Sequence, residues 1–448
     1  IESDIKPTGI NISNIILDSN RVVMSASNDT INIRTAFSND SDIRNRILLS
    51  TKTNVRRDSL LNIKILDICL NPSKKVVNNQ LWTLSKSKVT VNGKNIDIEG
   101  FRLENNNQHI AVDGSISPLE KSSLDLQVNN LDISAFNSFM KNPMDFAGIF
   151  SGSATLVDLY NNPQIVMNLK GERAAVAKSK IGTLIVSSTW DNTNKKFDLL
   201  VYNDLDGKRS MEVAGTYTPK GKYLDVEGNF SNLNPGYASP FFTGIVSNLT
   251  GGINGRMYCK GPIDKLVLSS DNAYVKDLSF TVDFTKVRYT VNGKTKLHDK
   301  GLTLADAVIS DQYGATGHVT GGLTYEHFRN LGFNALINFN NMEVIDLTEN
   351  DNSTFYGKAF GSGLFSLNGD LRKITMDISA SSNRNTEIHI PLASTSEAVN
   401  SNLLSFVQNS TFTADKITIR KEAEKKKAPS TEMNVQLKIN ITPEAAMY

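Results

Sequence analysis

The 448-residue sequence predicts an all-β protein: an elongated, curled antiparallel β-sheet, a groove with an apolar concave face, built from repeats and carrying few short helices. Three observations lead there. Apolar and polar residues alternate with period two along much of the chain, as in strands with one face turned inward and the other to water. Glycines fall repeatedly on the apolar face. Asparagine- and glycine-rich segments recur at roughly hundred-residue intervals, as in stacked supersecondary units.

In chain order, "INIRTAF" puts Ile31, Ile33, Thr35 and Phe37 on one face. "KVTVNGKNIDIEG" sets Val89 and Val91 before an Asn92-Gly93 turn and Ile96 and Ile98 after it, a hairpin signal because that turn needs positive φ at both positions. "DISAFNSFMKN" spaces Ile133, Phe136, Phe139 and Met140 at helical intervals behind a cap at Asp132 or Ser134. "VAGTYTPKGKYLDVEGNFSNL" reads as a hairpin with Val213, Gly215 and Tyr217 on one face, followed by Leu224, Val226, Gly228 and Phe230. "VRYTVNGKTKL" reads as a second Asn-Gly hairpin, with Val287, Tyr289 and Val291 before Asn292-Gly293. "TEMNVQLKINI" aligns Met433, Val435, Leu437, Ile439 and Ile441 in a one-sided strand expected to pair antiparallel.

The repeats begin at 129, 231 and 340 with an Asn-Leu or Asn-Met step and reach glycines four apart: Gly148 and Gly152, Gly251 and Gly255, Gly357 and Gly361. They divide the chain into units 1–130, 131–232, 233–341 and 342–448. Singly, a glycine on a strand marks a bulge or a strand end. Repeated on the apolar face, glycines let a sheet curve and are expected to leave room on its inner side. The residues expected to line that trough are Val213, Gly215, Tyr217, Val226, Gly228, Phe230, Ile253, Gly255, Met376, Ile378, Val435, Leu437 and Ile439.

Composition argues against several other classes. Forty-eight basic and 46 acidic residues give a net charge of +2 with no long tract of either sign, so no nucleic-acid partner is expected. Cys69 and Cys259 lack a C-x-x-C neighbour and read as small apolar fillers or as one long-range disulfide. His109, His298, His318, His327 and His389 show no ligand spacing, and no nucleophile, phosphate-loop or paired-carboxylate signature is present. Neither enzyme activity nor any metal or cofactor is expected. No stretch approaches the ~18 apolar residues of a membrane-spanning helix. The start at Ile1 and a strand pattern still running at "INITPEAAMY" suggest a piece of a longer polypeptide, with any anchor or leader outside it. "RKEAEKKKAPSTE" (420–432) reads as a solvated loop, with lipid-headgroup contact the alternative.

The segments "FYGKAFGSGLFSLNGDLRKITMDISASSNRNTEIHIPL" (355–392), "SDQYGATGHVTGGLTY" (310–325) and "ITPEAAMY" resemble the C-terminal part of the TamB (translocation and assembly module) family in the AsmA-like superfamily. "FRLENNNQHIAVDGSIS" (101–117) and "SPFFTGIVSNLTGGINGRMYCKGPIDKLVLSS" (239–270) extend the likeness through nearly the whole chain. The resemblance implies a periplasmic β-groove protein of the cell envelope, held in the inner membrane by an anchor outside this segment and meeting an outer-membrane β-barrel of the TamA type. It implies conduction of phospholipids, their acyl chains in the trough, and support of outer-membrane biogenesis. The alternative is a non-conducting scaffold or chaperone for barrel assembly and translocation, acting through an exposed sheet edge.

Overall fold

The computed structural model describes residues 2–391 and 432–448, apart from short breaks at 8–9, 13–14, 18, 39–45, 59–62, 78–79, 119–121, 140–144, 162, 271, 328, 371 and 444. The described chain is almost entirely strand, in two compact units: Ile1–Phe242 with Thr250–Ala273, and Thr243–Leu249 with Tyr274–Tyr448.

In the first unit, Glu2–Ile5 pairs with Ser19–Ser27, and an antiparallel ladder follows in nearly sequential order through Tyr223–Leu233. One insertion interrupts it. Ile63–Leu70 pairs directly with Ser87–Asn92, while the hairpin of Ser73–Val77 and Gln80–Leu84 fills the space between Arg46–Asp58 and Asn95–Asn105. Trp82 and Leu84 of that hairpin are almost fully buried.

In the second unit, Tyr274–Val282, Arg288–His298, Gly301–Asp311, Thr316–Glu326, Arg329–Leu347, Tyr356–Asp370 and Lys373–Ser382 each pair antiparallel with the next. Glu432–Asn440 then pairs with Lys373–Ser382 in parallel. That corrects the antiparallel expectation for "TEMNVQLKINI". A parallel partner needs a long crossover, and the sequence between the two strands is long enough to supply one. Residues 420–431 of the charged stretch lie outside the described residues.

The Asn-Gly signals resolve differently. Asn92 pairs with Asn95, so the two-residue turn is Gly93-Lys94, one position later than expected, with Gly93 at φ +61°. Asn292-Gly293 is no turn: it lies in the middle of the strand Arg288–His298. The helical signal at 133 becomes a 3-10 helix, Ile133–Phe139, capped by Asp132, whose Oδ1 accepts from the Ser134 amide at 3.0 Å and hydroxyl at 2.7 Å. So short a segment gains little from α-helical propagation; Met140 lies outside the described residues. A second 3-10 helix, Pro235–Phe242, starts under the Asn234 side chain, which accepts from the Gly236 amide at 2.8 Å.

Each sheet curls. In the first unit the Tyr160 hydroxyl donates to the Lys94 carbonyl at 3.1 Å and that of Tyr237 to the Lys180 carbonyl at 2.8 Å. In the second, the Tyr289 hydroxyl reaches the Glu343 carbonyl at 2.9 Å, and the Asp346 amide reaches the Thr285 carbonyl at 2.9 Å. Two whole strands, Gly301–Asp311 and Thr316–Glu326, separate the strands of Tyr289 and Glu343 in the ladder. A flat sheet would hold those groups about 14 Å apart at ~4.8 Å per strand, so the bond requires a bend.

Candidate functional site

Residues opposite one another in a ladder share a face, so register turns the alternating sequence into rows that cross the strands. In the first unit one row runs Phe101, Val112, Leu126, Ala154, Met167, Ser188, Leu199, Gly215, Val226, Cys259, Leu268. The next runs Leu103, Ile110, Val128, Gly152, Leu169, Val186, Val201, Val213, Gly228, Met257. Trp190, Phe197, Tyr217 and Leu224 flank the first row, and Leu184, Asn203, Met211, Phe230 and Gly255 flank the second. Eleven strands at about 4.8 Å carry the apolar surface over roughly 50 Å.

Its polar members are neutralised locally. The Ser188 hydroxyl donates to the Ile165 carbonyl at 2.8 Å. Asn203, 1% exposed, donates to the Ile181 carbonyl at 2.8 Å and accepts from the Met211 amide at 2.8 Å. The opposite face carries Thr189, Asp198, Thr216, Asp225 and Lys260 in one row, with Lys260 and Asp225 ion-paired at 3.0 Å.

The second unit repeats the arrangement. One row runs Leu278, Val291, Ile309, Gly317, Phe339, Gly363, Ala380, and Ile439 is the register partner of Ala380. Beside it lie Ala307, Val319, Ile337, Phe365 and Ile378, then Leu304, Gly321, Ala335, Leu367 and Met376. Leu437 and Val435 are the register partners of Ile378 and Met376. Val291, Ile309 and Val319 are 3–5% exposed although no second layer of strands covers this face among the described residues.

The expected trough residues therefore fall into two sets. Val213, Gly215, Tyr217, Val226, Gly228, Phe230, Ile253 and Gly255 share the apolar face of the first unit, where Ile253 opposes Leu233. Met376 and Ile378, with Val435, Leu437 and Ile439 at matching register positions, belong to the second.

The expectation that glycines leave a vacant furrow is corrected. Gly215 has φ +155° and lies against the partner strand, where an added Cβ would meet the Asp225 carbonyl and the Val226 Cα at 2.6 Å. What glycine permits there is backbone approach. At Gly228 the space is filled: a Cβ would meet the Phe230 ring at 2.6 Å, and Phe150 covers Gly171 in the same way. The rings lie down on the sheet and make an apolar floor instead of a hole.

A second role of glycine emerges at β-bulges. Gly100, Asn130, Asn232, Asp277 and Asn341 take left-handed φ values of 50–68° where the register slips. Their amides donate to Asp113, Ser151, Asn254, Asn292 and Ser362 at 2.6–2.9 Å. Every one of those acceptors is followed by glycine: Gly114, Gly152, Gly255, Gly293 and Gly363. The repeat starts at 129, 231 and 340 are three of these bulges. In the third copy the equivalent of Gly152 and Gly255 is Gly363, opposite Phe339, and not Gly361, which opposes Met342.

Cys259 and Cys69 are both free thiols. Cys259 sits on the apolar row, and burial pushes its thiol pKa up. Cys69 pairs with Lys52 and Lys88 on the other face of the same unit. No helix among the described residues is long and apolar enough to cross a membrane. No protein-family model, curated protein or solved structure matches the chain.

Proposed function

We propose that this chain is part of a periplasm-spanning groove protein that conducts phospholipids between the inner and outer membranes and so supports outer-membrane biogenesis. The observation that carries this reading is the largely apolar surface crossing eleven strands of the first unit, its few polar members hydrogen-bonded locally and the row Thr189, Asp198, Thr216, Asp225 and Lys260 on the opposite face. Leaving acyl chains in water costs about 0.8 kcal/mol per methylene, on the order of 20 kcal/mol for a two-chain lipid. A surface of this length offsets much of that cost while the lipid is between membranes. An anchor outside the segment and an outer-membrane barrel of the TamA type complete the proposed path.

Cys259 supplies the test. In a Cys69→Ser background, phospholipid on the row should slow maleimide labelling of Cys259 at least tenfold, and native mass spectrometry should record bound lipid. Val226→Asp, opposite Cys259, should remove both signals. Labelling indifferent to lipid, with no lipid mass on the purified chain, would overturn the proposal.

The alternative, a scaffold for barrel strands, draws on Glu432–Asn440, which among the described residues pairs along one edge only. Proline at Gln436 should impair such an activity, whereas Val226→Asp should not.

A further inference from the structure

The curl of the second unit closes at one rim through a buried polar network. Glu343, 0% exposed, sits between two register shifts on the strand Arg329–Leu347, at Phe339/Met342 and Glu343/Ile345. Its amide donates to Asp311 Oδ2 at 2.7 Å, and its carbonyl accepts from the Tyr289 hydroxyl at 2.9 Å. Its carboxylate accepts from Gln312 Nε2 at 2.7 Å through Oε2. Oε1 is buried without a hydrogen bond, and the nearest cation, Lys358 Nζ, stands 3.8 Å away. Lys358 itself is engaged by Asp346 at 3.2 Å and by the Tyr313 hydroxyl at 3.3 Å.

We infer that Glu343 is a proton-controlled latch: protonated, it holds the doubly bulged corner 341–347 against Tyr289 and Asp311, and ionised, it lets that corner lift and the curl of the second unit open. The charge balance around the carboxyl favours this direction. Asp311 and Asp346 face it with negative charge, Tyr289 and Tyr313 bring hydroxyls, and among the described residues the facing cation, Lys358, is shared with Asp346. Burial, aided by these carboxylates, raises the Glu343 pKa, with Gln312 and Lys358 opposing. The two bulges supply the hinge, since the ladder is already broken on both sides of the residue. This device does not depend on what the apolar face carries.

Hydrogen exchange of the full chain, corrected for intrinsic rates and followed from pH 4 to pH 9, tests it. One linked proton makes the opening equilibrium rise by up to about tenfold per pH unit between the carboxyl pKa of the open corner and the raised one of the closed corner, and level off above the latter. That loss of protection should be confined to segments 285–291, 309–315 and 341–347. Glu343→Gln, which keeps an acceptor for Gln312, should hold the three segments protected at all pH values. Tyr289→Phe should loosen them uniformly without changing the pH slope. A flat wild-type profile, loss of protection spread across the whole unit, or the same slope in Glu343→Gln would overturn the latch. The wild-type profile decides the matter alone if the Gln variant does not fold.

Discussion

The Tyr289 hydroxyl and the Glu343 carbonyl, 54 residues apart in sequence and separated by two whole strands of the ladder, are joined by a 2.9 Å hydrogen bond. This bond, with that from the Asp346 amide to the Thr285 carbonyl, ties the start of the curl to its return, and Tyr289 is half-buried in making it. Removing the hydroxyl leaves the Glu343 carbonyl without its donor. Tyr289→Phe should cost about 1–2 kcal/mol in urea unfolding of the second unit, with the midpoint shifted and the slope retained.

The raised Glu343 pKa has a thermodynamic sign. A carboxyl whose folded pKa lies above its unfolded value favours the fold when protonated, and this contribution fades as pH rises through the folded pKa. Glu343→Gln should therefore raise the thermal midpoint at neutral pH and leave it nearly unchanged below the unfolded carboxyl range. Calorimetry across that interval checks it; a variant less stable than wild type at neutral pH would contradict the sign.

Asp113 sets an opposite limb. The Gly100 amide at 2.6 Å, with help from Arg102, holds its carboxyl below the usual range. Its contribution is present above the unfolded pKa and lost as pH falls through the folded one. Asp113→Asn keeps an acceptor for Gly100 but removes the titration. Its unfolding free energy should fall less steeply on acidification than that of wild type.

The two kinds of glycine should respond differently to alanine. Gly215→Ala meets rigid backbone at φ +155° and should destabilise by about 1–3 kcal/mol. Gly228→Ala meets the Phe230 ring, which can rotate away. The penalty should fall well below that of Gly215→Ala, and the displaced ring should appear as a change in near-ultraviolet circular dichroism.

The bulge acceptors can be tested where burial is greatest. Asn254, 8% exposed, accepts from the left-handed Asn232 at 2.7 Å. Asn254→Ala should cost about 1 kcal/mol, whereas Asn254→Asp should retain most of the stability. Asn232→Gly should be nearly neutral and Asn232→Val clearly destabilising, because a branched side chain resists positive φ.

Much of this was legible in the sequence, for identifiable reasons. Period-two alternation is local, and it placed Val213, Val226 and Phe230 on one face before any partner strand was known. Asn292-Gly293 misled because a hairpin turn and a bulge-capping pair call for the same two residues; only the strand across from them, with Asp277 at φ +50°, separates the cases. The pairing direction of Glu432–Asn440 depends on a crossover and leaves no trace in the alternation. Glu343 reads as an ordinary polar position in "NNMEVIDL", and its burial arises from two register shifts on its own strand. The polar residue before each glycine was the missed signal: Asp113, Ser151, Asn254, Asn292 and Ser362 form a pattern visible without coordinates.

In the first unit, the bulged residues Gly100, Asn130 and Asn232 lie on strands that all run in the same direction, since every second strand of an antiparallel ladder does. Each of these insertions sharpens the right-handed twist of its own strand, so the three tighten the winding of the ladder at separate points along it.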